Sequence, residues 1–419
     1  MPVGNGRRVA VIAGCRTPFC KAGTALKDAR AVDLARHAAR ELIERTSLDG
    51  ADVDEVIFGQ VVPSALVPNV GREVSLLPQL PKEIPAYSVN RACASATQAI
   101  ANGYDQIALG HDDVVIAGGA EVLSDIPILA SRRLADILVE ASKAKSLGGR
   151  IRTFLKIRPR DLIPVAPAIA EPSTGESMGQ SAEKMAKENG ITREAQDRWA
   201  LRSHQLAAKG TADGRLTAEI APWFPTRPRD PVVAQDNGIR TDSTLEQMAK
   251  LKPVFDRKYG SVTAANSSPL TDGASAVLLM SEEAARARGH EPLAYIRSYA
   301  VAAVDPGWQL LQAPVWAVPL ALERAGISWK ELGLIEIHEA FAAQVLSNLQ
   351  GFAQKGWEIN EEIINVMGGS IAIGHPFGAT GGRIVTTLAN EMRRRDVQFG
   401  LVSVCAQGGM AFAMVLERR

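Results

Sequence analysis

Short apolar runs alternate along the chain with longer stretches in which apolar residues recur every three or four positions. Residues 9–13 (VAVIA), 55–61 (EVIFGQV) and 114–117 (VVIA) read as buried strands, and residues 32–45 and 94–109 between them carry helical spacing. This rhythm predicts βαβ units and a largely parallel sheet. The C-terminal third repeats it: a helix ending over 320–326, a strand at 334–338 (LIEIH), a Gly-rich turn, a helix at 379–394 and a strand at 401–405 (LVSVC). Element order is the same in both stretches. Each has one reactive side chain at or just before the start of its last helix, Cys93 in the first and His375 in the second. The pattern predicts an α/β chain built from two duplicated, βαβ-rich halves.

Between the halves the pattern breaks. Pro159, Pro164, Pro167, Pro172, Pro222, Pro225 and Pro228 punctuate it, with helical runs at 180–189 and 193–209, the second preceded by Thr192 as a cap candidate. The predicted organisation is residues 1–124 and 256–285 as the first half, 125–255 as a long inserted loop domain, and 286–419 as the second half. Excursions of this length carry function or meet partners. Within it, nine basic residues lie between Arg132 and Arg160, opposed only by Asp136 and Glu140. Leu134, Ile137, Leu138, Ile151, Phe154 and Leu155 fall at helical spacing among them. Such a basic amphipathic stretch either lies on a membrane surface, docks a partner, or is a solvated face over its own core.

With 419 residues, the chain has length for two or three domains. A hydrophobic content of 46% with 22% charged residues describes a globular chain, and a net charge of +1 gives no whole-chain attraction to nucleic acid. Four cysteines, Cys15, Cys20, Cys93 and Cys405, show no metal-ligand spacing and make no disulfide framework. The start of the chain has no apolar secretory region, and no stretch approaches the roughly 20 apolar residues of a membrane span. A cytoplasmic protein is expected.

Cys93 follows Ser88-Val89-Asn90-Arg91-Ala92 and precedes small residues leading into an apolar helix. A thiol at a helix N-terminus is stabilised as thiolate by the dipole and free N–H groups, which can also hold an oxyanion. His375 lies in a Gly-rich turn (GHPFGATGG); beside a reactive cysteine it is a candidate base. The turn lacks a Walker lysine and a GxGxxG pattern. Cys405 ends a predicted strand before Ala406-Gln407-Gly408-Gly409, at the rim of a sheet where ligands of α/β folds bind. His338-Glu339-Ala340-Phe341 is not a zinc motif, because HExxH needs a second histidine where Ala342 stands. His37, His111, His204, His290, Cys15 and Cys20 have no partner pattern and read as structural or surface residues.

Five motifs in order resemble the thiolase family over nearly the whole chain: VIAGCRTPF at 11–19, SVNRACAS at 88–95 with GGAE at 118–121, VTAANSSPLTDGA at 262–274, HEAF at 338–341, and GHPFGATG at 374–381 with CAQGG at 405–409. The resemblance implies a thiolase-like fold with mixed five-stranded sheets and residues 262–274 as a return strand into the core. It is closest to the 3-ketoacyl-CoA thiolase subunit of the fatty-acid oxidation trifunctional complex, on HEAF, the Cys-Ala-x-Gly-Gly ending and the basic excursion. It implies Cys93 as nucleophile, His375 as base, Cys405 as proton shuttle, and the first oxyanion held by His375 and by a group that His338 positions. The N–H groups of Cys93 and Gln407 would form the second oxyanion hole, and Ser268, Met178 and Phe341 would line the coenzyme A or acyl pocket. Gln407 departs from the family's commoner glycine, and Phe377 from its leucine. Coenzyme A is a substrate, and no cofactor or metal is expected. Expected partners are 3-ketoacyl-CoA, a second copy of the chain, a hydratase–dehydrogenase subunit and a membrane surface, with no nucleic acid. Rival readings are a short-chain acetyl-CoA acetyltransferase, a ketoacyl synthase-like condensing enzyme, which Cys405 disfavours, and a catalytically silent scaffold.

Overall fold

The computed structural model describes residues 6–165, 170–225 and 230–419. Pro167 and Pro228 lie outside them. The first half runs β1 (Val9–Arg16), the short β2 (Cys20–Lys21), α1 (Ala31–Thr46), β3 (Glu55–Gly59), α2 (Val70–Ser75), β4 (Ala86–Val89), α3 (Ser95–Leu109) and β5 (Val114–Glu121). The excursion holds α4 (Arg132–Lys143), α5 (Leu147–Phe154), α6 (Met178–Glu188), α7 (Arg193–Ala212) and α8 (Leu245–Ala249). The chain returns as β6 (Thr271–Ser281) and α9 (Glu282–Ala287). The second half runs β7 (Ala294–Ala303), α10 (Pro314–Ala325), β8 (Leu334–Ile337), α11 (Ala342–Gln354), α12 (Ser370–Ile373), α13 (Thr380–Arg395), β9 (Phe399–Ala406) and β10 (Met410–Glu417).

Hydrogen bonding gives the strand order β4-β3-β5-β6-β1-β7-β10-β9-β8, with β2 beside β6. In the first half, β3 pairs in parallel with β4 and β5, and β6 runs antiparallel to β5 and β1. The second half repeats this, with β8 parallel to β9 and β10 antiparallel to β9 and β7. Its counterpart of β4 is a parallel bridge from Ile364 to Ile335. Three antiparallel pairs, Val9–Ile296, Ala10–Tyr295 and Val11–Ala294, join the halves.

Alternation along the strands sorts the core into layers, because successive side chains face opposite sides of a sheet. Ala10, Val56, Phe58, Val114 and Ile116 pack outward with Leu34, Leu42 and Val74 of α1 and α2. Val9, Ile57, Val115 and Ala117 face inward, onto Ile100 and Ile107 of α3 and Ile384, Leu388 and Met392 of α13. Val404, Phe412 and Met414 meet the same pair of helices from the other side. Leu401, Ala413 and Val415 turn outward to Val318, Leu322, Leu349 and Phe352 of α10 and α11. The result is five layers, α/β/α/β/α, and strands covered on both faces are mainly apolar. The ends of the two central helices lie at the middle of the molecule.

Three expectations change, the first being the largely parallel sheet: it is mixed, because β6 and β10 run antiparallel to their neighbours in each half. The return strand begins at Thr271 rather than residue 262. Thr263 and Asn266 close a turn, the Thr263 N–H donating to Asn266 Oδ1 at 2.7 Å, and Pro269 has no N–H for a ladder. The basic excursion buries little: Ile137 and Ala141 of α4 and Thr153 of α5 are its buried side chains, whereas Leu147, Ile151, Phe154 and Leu155 are exposed. Thr192 does cap α7, its Oγ1 accepting from the Ala195 N–H at 3.2 Å. Cys15 and Cys20 are free and buried in the core. Among the described residues, no helix is long and apolar enough to cross a membrane.

Candidate active site

Cys93 sits on a turn built by its polar neighbours. Asn90 Oδ1 accepts the Ala92 N–H at 3.0 Å; Ser95 Oγ accepts the Arg91 N–H at 2.9 Å and donates to the Ala92 carbonyl at 2.7 Å. These bonds hold Ala92 in the left-handed region, φ 45°, which an alanine adopts only under such constraint. The thiol is thereby delivered ahead of α3. The expected stabilisation of thiolate by N–H groups is present but outweighed. Burial pushes the Cys93 thiol up to about 11, outweighing the backbone N–H groups of Gln407 and of Cys93 itself, which act in the other direction.

The histidines meet opposite Cys93. His375 follows Gly374, whose φ of 114° no side chain tolerates well. Its Nδ1 lies 2.6 Å from Thr380 Oγ1. His338, at the end of β8, has Nδ1 2.9 Å from Ser370 Oγ. The two ring centroids are 4.1 Å apart. Neither Nε2 has a hydrogen-bond partner among the described residues. Burial, then the nearby Arg383 charge, pushes His375 down to about 3. Burial, then His375 and Arg383, pushes His338 well below its ordinary value. Both rings are therefore neutral near pH 7. Donor atoms of Cys93, His338 and His375 lie within 4.8 Å of one another.

Cys405, at the end of β9, is buried, and its thiol is pushed far up by burial and then by Cys93. It shares a cavity of about 310 Å3 with Cys93, His375, Gln407, Met178, Ser268, Phe341 and Phe377. Its walls are mostly apolar; the Phe341 ring stands edge-on to Phe255 at 6.0 Å. His338 lies behind His375 and is fully buried. A second cleft of about 550 Å3 meets the first at Val61, Ala92, Phe377 and Gln407, and is lined further out by Val62, Leu123, Ile126, Pro172 and Met410. Gln407 Nε2 donates to the Ala170 carbonyl at 2.8 Å, fastening the excursion beside the cysteines.

Two family models cover almost the whole chain: the thiolase N-terminal domain matches residues 9–283, and the thiolase C-terminal domain matches 290–418. The chain belongs to the thiolase family. It is 49% identical over 425 residues to a 3-ketoacyl-CoA thiolase of Cronobacter sakazakii (99% of this chain, 97% of that one) and 48% identical to that of Klebsiella pneumoniae with the same coverage. Its structure is similar to the Bacillus anthracis acetyl-CoA acetyltransferase (TM-score 0.86, 34% identity, 98% of each chain). It is also similar to the human mitochondrial 3-ketoacyl-CoA thiolase (TM-score 0.85, 33% identity, 98% of this chain and 99% of that one). The protein is an acyltransferase of the thiolase fold.

Four residues that support this thiolase's site were not singled out from the sequence. Glu121 of GGAE is buried and accepts the Val61, Val62 and Gly378 N–H groups at 3.0–3.1 Å, tying the His375 turn to the first half. Burial pushes it up to about 7. Glu339 of HEAF accepts from Trp199 Nε1, Ser203 Oγ, Asn365 Nδ2 and the Ile371 N–H, anchoring the motif to α7 and α12. Arg383 is fully buried; its Nη2 donates to Ser370 Oγ at 3.0 Å, and Glu336 lies 3.5 Å from its Nη1. Thr380 holds His375. Glu121 and Glu339 sit inside motifs, where a buried acid beside glycines was the available signal. Thr380 also sits inside a motif, GHPFGATG, whereas Arg383 looks ordinary in sequence and only packing reveals it.

Proposed function

We propose that this thiolase cleaves 3-ketoacyl-CoA with coenzyme A, releasing acetyl-CoA and a shortened acyl-CoA, in the degradative direction of fatty-acid oxidation. The observation that carries the reading is the convergence of two cysteines and His375 on one cavity, with His338 directly behind them and a second cleft opening beside it. The curated relatives that share half of its residues are named 3-ketoacyl-CoA thiolases.

His375 Nε2 takes the proton of Cys93, and the thiolate adds to the 3-keto carbon. The oxyanion is held by His375 and by a group that His338 positions. When the C2–C3 bond breaks, its electron pair leaves on C2 as the acetyl-CoA enolate, and the Cys405 thiol protonates C2. Coenzyme A then gives its thiol proton to Cys405 and attacks the acyl group. This second oxyanion meets the N–H groups of Cys93 and Gln407, and Cys93 leaves as thiolate, reprotonated by His375. A nucleophile and a proton carrier need different environments, which is why two cysteines serve. Ser268, Met178 and Phe341 border the coenzyme A side. The cleft past Phe377 is lined by Val62, Leu123, Ile126 and Met410, which suit a fatty tail, together with Arg91 and Glu171. No cofactor takes part.

The deciding assay is coenzyme-A-dependent consumption of acetoacetyl-CoA against 3-ketopalmitoyl-CoA. Preference for the long chain is expected; preference for acetoacetyl-CoA would make the protein a short-chain acetyl-CoA acetyltransferase. The protein acts in the cytoplasm as a homodimer, in keeping with β4 as an outer edge strand. Residues 132–160 present exposed apolar and basic side chains suited to a hydratase–dehydrogenase subunit or a membrane surface. Charge reversal at Arg150, Arg152, Arg158 and Arg160 is expected to abolish co-purification or liposome flotation; no change in either retires both partners.

A further inference from the structure

We infer that Cys93, His338 and His375 form a three-ligand site for a borderline divalent cation such as Zn2+, and that an ion held there shuts the enzyme off. The sequence shows no zinc motif, because Ala342 stands where HExxH needs its second histidine. The fold assembles the ligands from three separate segments instead. Cys93 comes from the turn before α3, His338 from the end of β8 and His375 from the turn before α13. One donor atom from each lies within 4.8 Å of the others. His338 and His375 are both buried, and neither Nε2 has a hydrogen-bond partner among the described residues. A neutral imidazole carries one lone pair on a ring nitrogen, so neither ring has to lose a proton to bind an ion.

The donor set selects the metal. One sulfur and two nitrogens, with no oxygen, suit Zn2+, Co2+ or Cd2+ and disfavour Mg2+ and Ca2+. Tetrahedral zinc, with bonds of about 2.0–2.3 Å, sets its ligands roughly 3.5 Å apart. The donors must therefore draw in by about an ångström, a movement that rotation of the Cys93 side chain supplies. Ligating histidines donate their other ring N–H to a neighbour that fixes the ring. His375 Nδ1 has Thr380 Oγ1 at 2.6 Å, and that hydroxyl passes its own hydrogen to the Pro376 carbonyl at 3.0 Å. His338 Nδ1 has Ser370 Oγ at 2.9 Å, which keeps a lone pair free beside the bond it accepts from Arg383 Nη2. The Arg383 charge acts on both rings and opposes a cation there; Glu336, 3.5 Å from its Nη1, offsets part of it.

On binding, a metal–sulfur bond replaces the S–H bond of Cys93 and the proton leaves to solvent; nothing is oxidised or reduced. Three protein ligands leave a fourth position, and Cys93 and His375 both border the cavity from which water or a substrate thiol reaches it. The reaction itself uses no metal. An ion on these three atoms occupies nucleophile and base together, so it competes with the chemistry instead of assisting it. The inhibition rests on the thiolase reading, whereas the binding does not.

Titration of the chelator-treated enzyme with Co2+ tests the site directly. A single equivalent is expected to give the intense visible spectrum of tetrahedral cobalt together with a sulfur-to-metal charge-transfer band. Cys93→Ala should abolish that band and Cys405→Ala should keep it. His338→Asn and His375→Asn should each weaken cobalt binding by more than about 100-fold, beyond the roughly 10- to 100-fold expected for Thr380→Val. A weak octahedral spectrum, a band that survives loss of Cys93, or a band lost with Cys405 overturns the inference. The unmodified enzyme supplies a test that needs no variant. Zn2+ should slow iodoacetamide alkylation of Cys93 by at least about tenfold, EDTA should restore it, and Mg2+ and Ca2+ should do nothing. Alkylation indifferent to Zn2+ overturns the inference equally. Cobalt bound as described by a chain that consumes no 3-ketoacyl-CoA would keep the metal site and sink the proposed reaction; an active enzyme indifferent to Zn2+ would do the reverse.

Discussion

The two halves repeat one topology, yet the same place in each carries opposite chemistry. In the first half the turn before α3 delivers a thiol that burial raises to about 11. In the second half the turn before α13 delivers an imidazole that burial lowers to about 3. One desolvated environment acts on both, and it favours the neutral form of each. Duplication therefore supplies two helix ends meeting in the central layer, and residue identity divides the labour between acid and base. The turns are also made differently. Polar side chains hold Ala92 in a left-handed conformation, whereas Gly374 reaches φ 114° unaided. The strand ends differ in the same way: β5 ends in Glu121, which ties the halves together, and β9 ends near Cys405, which works in the cavity.

The largest expected effect comes from removing the first half's contribution. Cys93→Ala should abolish the acyl-enzyme and lower activity by on the order of 10⁴-fold or more, measured as acetyl-CoA release. Cys405→Ala should leave Cys93 reactive to iodoacetamide but stop turnover, so a variant lacking Cys405 whose Cys93 no longer alkylates would break the division proposed for the two thiols. A smaller effect tests the tie between halves. A Cβ on Gly119 would lie 1.9 Å from the Gly378 carbonyl oxygen and 2.8 Å from that of Gly59. Gly119→Ala should cost roughly 1–3 kcal/mol in denaturant unfolding and displace the His375 turn. Retention of full stability and activity would show that the turn is not held there.

The pH dependence sharpens the comparison further. If thiol and imidazole rest as neutral groups, the thiolate fraction rises with pH until the Cys93 pKa near 11. The alkylation rate of Cys93 in the resting enzyme should then climb about tenfold per unit from pH 6 to 10. A plateau across neutral pH would mean an ion pair instead. Stability should change more gently. His375 near 3 and His204 near 4 are depressed below the ordinary value of 6.5 by burial. A base depressed in the folded state binds fewer protons there than in the unfolded chain, so its stabilisation is complete above about 6.5 and is lost as pH falls toward those values. Thermal melts should fall steadily between pH 7 and 4, and His204→Gln should flatten the slope.

Much of this was legible in the sequence because the chemistry sits in contiguous motifs. Cys93, His375, Cys405, Gln407, Met178, Ser268 and Phe341 border one cavity, although they come from six separate segments. The repeat of strand and helix was visible because alternation and helical spacing are local properties. What was hidden depended on distant contacts. Glu121 reaches Gly378 across 257 positions, and Arg383 acts through Ser370. The helix-end rule gave the direction in which the N–H groups act on Cys93 but not the larger, opposing effect of burial, which no local pattern reports. The exposed apolar face of α5 was likewise open, since spacing alone cannot say whether a stripe has a partner.

The most direct test of the account is to mix the purified enzyme briefly with a 3-ketoacyl-CoA in the absence of free coenzyme A, quench in acid, and map the modified peptides by mass spectrometry. The account predicts one acyl group, two carbons shorter than the substrate, on Cys93 alone, with an equal amount of acetyl-CoA released. Acyl label on Cys405, or acetyl-CoA release with Cys93 unmodified, would contradict it.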